Sequence, residues 1–204
     1  AKEQGIGHYF VPRYTRVVDT AESKDNINKA YNLISTSKVR NEIIIDDVIT
    51  CVARKQTPVI LTRFKEHAKF LHDALKEKAD HVFLLYGDNS DKENAEIRVK
   101  LKQIPENESL ILVATGQKIG EGFDFPRLDV LMLAAPVSFE GRLEQYVGRL
   151  NRDYVGKEAV YVYDYIDSHV RYFDKMYAKR LRTYRKMGFS IWTSIVPTCH
   201  HSRR

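Results

Sequence analysis

An α/β fold built around a buried, mostly parallel sheet is the class this sequence predicts, and three observations predict it. Apolar runs of strand length recur along the chain. Amphipathic helical patterns separate them. The middle runs are apolar on both faces, as strands covered by helices on either side are. Strand, helix, strand, helix is the pattern of βαβ units, with ligands expected at the carboxyl ends of the strands.

The strand-like runs are PVILT (58–62), HVFLLY (81–86), LILVA (110–114), VLMLAA (130–135) and AVYVYDYI (159–166). Helical patterns lie between them at 63–79, 91–104 and 139–152, the first carrying Phe64, Ala68, Leu71 and Leu75 at helical spacing. Upstream, residues 8–18 read as an extended segment, and Pro12 predicts an edge position. Residues 25–55 read as one or two helices. Within them EIIIDD (42–47) imitates a magnesium-binding strand, but Val39, Ile43, Val48 and Cys51 continue at helical spacing, so a helix is expected. Residues 168–189 read as a helix with Phe173, Met176, Tyr177, Leu181 and Tyr184 on one side. Arg171, Lys175, Lys179, Arg182 and Lys186 lie on another. Phe189, Ile191 and Trp192 suggest a last apolar strand or docking segment. The expected division is an incoming strand with a helical extension (1–55), a core (56–167), and a basic helix with a tail (168–204).

Composition narrows the function classes. The chain of 204 residues carries a net charge of +6, which permits a polyanionic partner. No apolar run approaches the roughly 20 residues of a membrane span, so no membrane partner is expected. Cys51 and Cys199 are too few for a disulfide scaffold and predict a reducing, cytoplasmic setting. The chain opens without methionine, and a piece of a longer protein is expected. His67 and His72 are read as residues of a surface helix without the i, i+4 spacing of metal ligands. TCHHSRR (198–204) has too few ligands for zinc, so no metal site is expected.

Two stretches carry chemistry. On a helix over 143–152, Leu143, Tyr146, Val147 and Leu150 share a stripe that can bury. Gln145, Gly148, Arg149 and Arg152 share the opposite one. Two guanidinium groups on one ridge suit an anion, and a glycine between them lets it approach the backbone. A solvated basic face is the plainer reading of such a pair. Upstream, the loop after 110–114 holds Gly116, Gly120 and Gly122, then Asp124 and Pro126. It either turns the chain between strands or cradles a ligand, and the loop alone leaves both readings open.

Together these stretches resemble motifs V and VI of superfamily 2 helicases: ATGQKIGEGFDFP (114–126) and QYVGRLNR (145–152). PVILTRFKEHAKFL (58–71) is similar to motif IV, and Tyr86-Gly87 fits the segment that follows it. Order and spacing agree over roughly residues 58–166, and the resemblance is to the second RecA-like domain of restriction- and repair-type DEAD/DEAH helicases. It implies a RecA-like three-layer sandwich. It also implies ATP, with Mg²⁺ held by a first RecA-like domain, and a nucleic-acid track, DNA in preference to RNA. Carried over, Arg149 and Arg152 would be finger arginines and Gln145 would contact phosphate or water. Gly120, Glu121, Gly122 and Asp124 would line the nucleotide. Thr62, Arg63, Gly87, Thr115, Gly116, Gln117 and Lys118 would touch nucleic acid. Many relatives carry an acidic residue where this chain has Gly116. No G-x-x-x-x-G-K-[ST] occurs, since Gly156-Lys157 is followed by Glu158. The expected function is therefore the second motor domain of an ATP-dependent helicase or translocase, inactive by itself. A non-catalytic nucleic-acid-binding module is the alternative. A Rossmann-type enzyme using GEGFD is disfavoured, because the third glycine of that fingerprint is missing.

Overall fold

The computed structural model describes residues 5–120, 124–137 and 140–192. Its elements are β1 (Gly7–Tyr14), α1 (Ile27–Ser35), α2 (Lys38–Ala53), β2 (Pro58–Thr62), α3 (Lys65–Leu75), β3 (His81–Leu85) and α4 (Asp91–Gln103). Then follow β4 (Leu110–Thr115), α5 (Gly116–Gly120), β5 (Val130–Leu133), α6 (Glu140–Leu150), β6 (Ala159–Ile166), α7 (Arg171–Lys186) and β7 (Ser190–Ile191). The strands form one sheet in the order β3-β4-β2-β5-β6-β1-β7, and every ladder is parallel.

Alternation along each strand fills both layers. Val59 and Leu61 of β2 face a core made with Leu101 of α4, Ile119 of α5 and the stripe Leu143, Tyr146, Val147 and Leu150 of α6. Ile60 faces the other core, formed by Ile44, Val48 and Cys51 of α2 with Ala68, Leu71 and Leu75 of α3. A third cluster joins α1 to α7 through Tyr31, Ile34, Phe173 and Met176. No described helix is long and apolar enough to cross a membrane.

Residues 38–53 are helical, as the spacing predicts, but the buried stripe is rotated from the expected one. Val39 is 63% exposed, whereas Arg40 and Asn41 are buried. The cause is Arg40 itself. Its guanidinium grips Asp167 through two hydrogen bonds of 2.9 and 3.0 Å and donates to the Ala134 carbonyl. Such a fork satisfies a buried carboxylate, so a charge can outrank Val39 for the inner face.

Pro12 lies on the second strand from the sheet edge. β7 pairs only with Tyr9 and Phe10. Phe10 turns its carbonyl toward β7, where the Trp192 N–H donates to it at 2.8 Å. Strand groups point to alternate sides, so Pro12 turns the same way, beyond the end of β7. Its missing N–H therefore costs no ladder bond.

Candidate nucleotide and nucleic-acid site

The described site residues fall into two groups at opposite ends of the sheet. Thr62 ends β2 and Thr115 ends β4, and the two are partners in register. Arg63 follows Thr62, and Gly87 lies shortly after β3. This group occupies the carboxyl ends of the strands. The other group sits at the far end of α6. The Lys157 ammonium donates to the Pro126, Leu150 and Arg152 carbonyls at 2.5, 2.7 and 3.0 Å. Pro126 precedes β5, so the last turn of α6 and Arg152 lie at the amino end of that strand. An eleven-residue helix spans about 16 Å. The expectation of ligands at the carboxyl ends thus describes one group only.

At the strand-end rim, Thr62 is buried and its hydroxyl faces His67 Nδ1 at 2.5 Å. His67 Nε2 faces the Asn41 Oδ1 at 2.8 Å, and the Asn41 amide donates to the Ser35 carbonyl at 2.9 Å. Asn41 thereby presents its oxygen to the imidazole, so Nε2 carries the proton and Thr62 donates to Nδ1. The Thr62 hydroxyl proton is committed inside the domain. His67 is not the surface residue the sequence suggested: it is 4% exposed, and burial, with Arg40 nearby, pushes its pKa down to about 3. Arg63 is exposed, with its guanidinium 4.4 Å from the Tyr31 ring centroid, a cation–π geometry. Gly87 is exposed, and Lys65 beside it pairs with Asp88 at 2.6 Å.

Residues 116–120 form the short helix α5, where the sequence suggested a loop. Ile119 anchors it, 2% exposed in the core. Gly116 has a packing reason. A Cβ there would stand 2.5 Å from the Tyr146 hydroxyl oxygen, so any larger residue requires the buried Tyr146 side chain to shift. Thr115 is 8% exposed, Lys118 is half-buried on α5, and Gln117 and Gly120 belong to the same helix. Glu121 and Gly122 lie outside the described residues.

On α6 the expected stripe is buried, while Gln145 and Gly148 are exposed and Arg149 is half-buried. A Cβ on Gly148 would meet nothing within 4 Å, so the ridge beside Arg149 opens on free space. The helix stops at Leu150, two residues short of the predicted end. Asn151 makes the last backbone bond, to Val147, and Lys157 takes over the Leu150 carbonyl. Arg152 therefore stands past the helix. Its Nε lies 3.6 Å from Asp124 Oδ1, both side chains being more than half exposed. The structure thus brings together one residue from each predicted motif. Sequence reasoning missed Lys157, seen only as a failed P-loop. It follows Gly156, whose φ of +82° suits glycine. Burial pushes the Lys157 ammonium below the usual lysine range, against the pull of Asp129 and Asp153.

No protein-family model matches the chain. Among curated proteins, it is 30% identical over 138 residues to transcript termination protein A18 of Yaba-like disease virus. That match covers 65% of this chain and 28% of the relative. It is 33% identical over 118 residues to putative helicase 161L of invertebrate iridescent virus 6, covering 57% of this chain and 22% of that protein. The chain therefore spans under a third of the length of either relative. Among solved structures, T4 UvsW superposes with a TM-score of 0.70 at 19% identity, over 91% of this chain and 41% of UvsW. The C-terminal domain of the DEAD-box protein Dbp5 gives 0.54 at 13% identity, over 92% and 90% of the two chains. Domain 2 of the DEAD-box helicase Mss116p, bound to an RNA duplex, gives 0.54 at 16% identity, over 91% and 64%. The seven-stranded parallel sheet, covered on both faces and continued by α6 and α7, is the fold of the second, C-terminal RecA-like domain of superfamily 2 helicases.

Proposed function

We propose that this chain is the second motor domain of an ATP-dependent nucleic-acid helicase or translocase. The observation that carries the reading is the meeting of Arg152 and Asp124 at the open end of α6, beside Arg149 and Gly148. An exposed ion pair is worth about 0–1 kcal/mol, so a nucleotide's anionic oxygens can displace Asp124 from Arg152 at little cost. Gly148 leaves the ridge open to such a group. ATP bound across the gap would meet Arg149, Arg152 and Gln145 from this side. The phosphate-cradling loop and the magnesium carboxylates come, in this reading, from a first RecA-like domain. Bound there, ATP supplies the phosphoryl group whose developing charge the arginines stabilise.

Nucleic acid would lie at the other end of α6, along Arg63, Gly87, Thr115, Gly116, Gln117 and Lys118. Thr62 would hold this rim through His67 and would donate no bond to the track. DNA is the track we favour, and competition between matched DNA and RNA oligonucleotides decides it. A cytoplasmic site of action belongs to the proposal and rests on the low cysteine content.

Arg149→Ala and Arg152→Ala test the reading in the protein joined to its P-loop domain. An arginine finger is worth roughly 10³–10⁵ in rate. Each variant should lose at least about a hundredfold in nucleic-acid-stimulated hydrolysis while nucleotide affinity changes far less. Normal hydrolysis in both would sink the motor and favour a non-catalytic nucleic-acid-binding module. The chain by itself should hydrolyse no ATP.

A further inference from the structure

The outer face of α7 is a one-sided charged surface. At about 100° per residue, Arg171, Lys175, Lys179, Arg182, Arg185 and Lys186 fall within an arc of about 120°. All are exposed, and the only acidic residue of α7, Asp174, stands at the arc's margin. The opposite face is Phe173, Met176, Arg180, Thr183 and Tyr184, all buried. That inner face is fixed in rotation. Arg180 grips Asp164 through two bonds of 2.8 Å, and the Tyr184 hydroxyl donates to the same carboxylate at 2.7 Å. The cationic arc is thus held outward by buried bonds.

Fold stability does not account for this arrangement. Arg171 and Lys175, Lys175 and Lys179, and Arg182 and Lys186 are four apart, and like charges at that spacing destabilise a helix. Of these residues only Lys186 leans on a described carboxylate, Glu144, at 3.8 Å. Arg185 and Lys186 suit the negative end of the helix, but Arg171 sits at the positive end, where a cation is disfavoured. The chain carries 33 basic and 27 acidic residues, and a surface built for solubility would mix the signs.

The inner face of α7, behind the arc, reaches toward the strand-end rim. Arg63 stacks on Tyr31, and the Tyr31 hydroxyl reaches the Pro136 carbonyl at 2.8 Å and Met176 Sδ at 3.8 Å. One tyrosine therefore separates the rim from the body of α7. Between Arg171 and Lys186 the arc runs about 22 Å in a straight line. A duplex offers a matching rod, with roughly one negative charge per 1.7 Å of axis.

We propose that the outer face of α7 is a second nucleic-acid contact, gripping the phosphate backbone of a duplex without reading its sequence. It rests on the nucleic-acid part of the function proposed above and adds a surface outside the helicase-like motifs.

The test compares the chain with its K175Q/K179Q/R182Q variant on a fluorescent duplex of about 24 base pairs, by anisotropy between about 50 and 300 mM salt. Glutamine keeps helix propensity at these exposed sites, and an unchanged or raised Tm certifies the fold. If three phosphate contacts are lost, the slope of log K against log salt becomes shallower by about 2.7, and affinity at about 100 mM salt falls at least tenfold. If the wild type binds and the variant keeps its slope, the α7 proposal is overturned and the nucleic-acid reading stands. If the wild type binds no nucleic acid even at low salt, that reading falls and takes the proposal with it. Polyglutamate of matched charge binding the wild type as tightly as the duplex, and losing as much in the variant, also overturns it, in favour of an acidic protein partner.

Discussion

Of the four arginine–aspartate pairs among the described residues, Arg13–Asp47 is intermediate, at 43%/13% side-chain exposure, and the other three occupy two kinds of place. Arg40–Asp167 and Arg180–Asp164 are buried, at 0%/0% and 2%/1% side-chain exposure, and each is a two-pronged clamp. Arg152–Asp124 is 54%/55% exposed and joined at 3.6 Å. Chemistry does not separate them; solvent does. In the interior a lone partner would be an uncompensated charge, so each clamp fixes a helix: Arg40 sets α2, and Arg180 sets α7. In water the same pair is nearly neutral in energy, and either member is available to a ligand.

The largest effect that breaks this comparison comes from the clamps. Arg40→Met or Arg180→Met should cost about 3–5 kcal/mol, read as a lowered urea midpoint, because Asp167 or Asp164 is left buried and unpaired. A loss below about 1 kcal/mol would mean the clamps behave like surface pairs. Next comes the clip beside the exposed pair. Lys157→Met strands three carbonyls and should cost about 2–3 kcal/mol. Because Arg152 O is one of those carbonyls, the variant should also lose stimulated hydrolysis in the joined protein.

A third effect follows pH. His67 titrates at about 3 in the fold, below the ordinary histidine range, because burial and Arg40 disfavour its cation. Its contribution is whole above about pH 6.5 and declines as the pH falls toward 3. At pH 5 the loss is about 2 kcal/mol. Asp129 has the opposite sign: burial pushes it up to about 6, so acidification through that range favours the fold. The difference between wild type and His67→Gln isolates the histidine. The wild type's advantage in urea midpoint should shrink from pH 7 to pH 5, and a constant gap would refute the assignment. The smallest effect sharpens the comparison from its other side. Asp124→Ala should change stability by no more than about 1 kcal/mol, while altering nucleotide-dependent activity.

The distribution of these residues explains what the sequence could disclose. Periodicity exposed the strands at 58–62, 110–114 and 159–166 and the buried stripe of α6, because apolar burial leaves a local pattern. The motif pair led to Arg152 and Asp124 for the same reason, being two short, ordered stretches. Arg40, Arg180 and His67 were opaque. Most of their partners lie far off in the chain or in backbone carbonyls, and a charged residue read alone looks like surface. Arg40 even displaced the predicted stripe of α2, where Val39 faces solvent instead. Lys157 left no trace beyond a glycine, since its three acceptors are carbonyls that any residue type could supply. The end of α6 at Leu150 was hidden with it.

Pro12 has a consequence for how this protein behaves in a crowd. Past Phe10 the outer margin of β1 has no strand partner among the described residues, and a bare strand margin invites a foreign chain to zip on. A ring that offers no hydrogen to share breaks that template midway. One imino acid thus guards the flank of a seven-stranded sheet against runaway stacking.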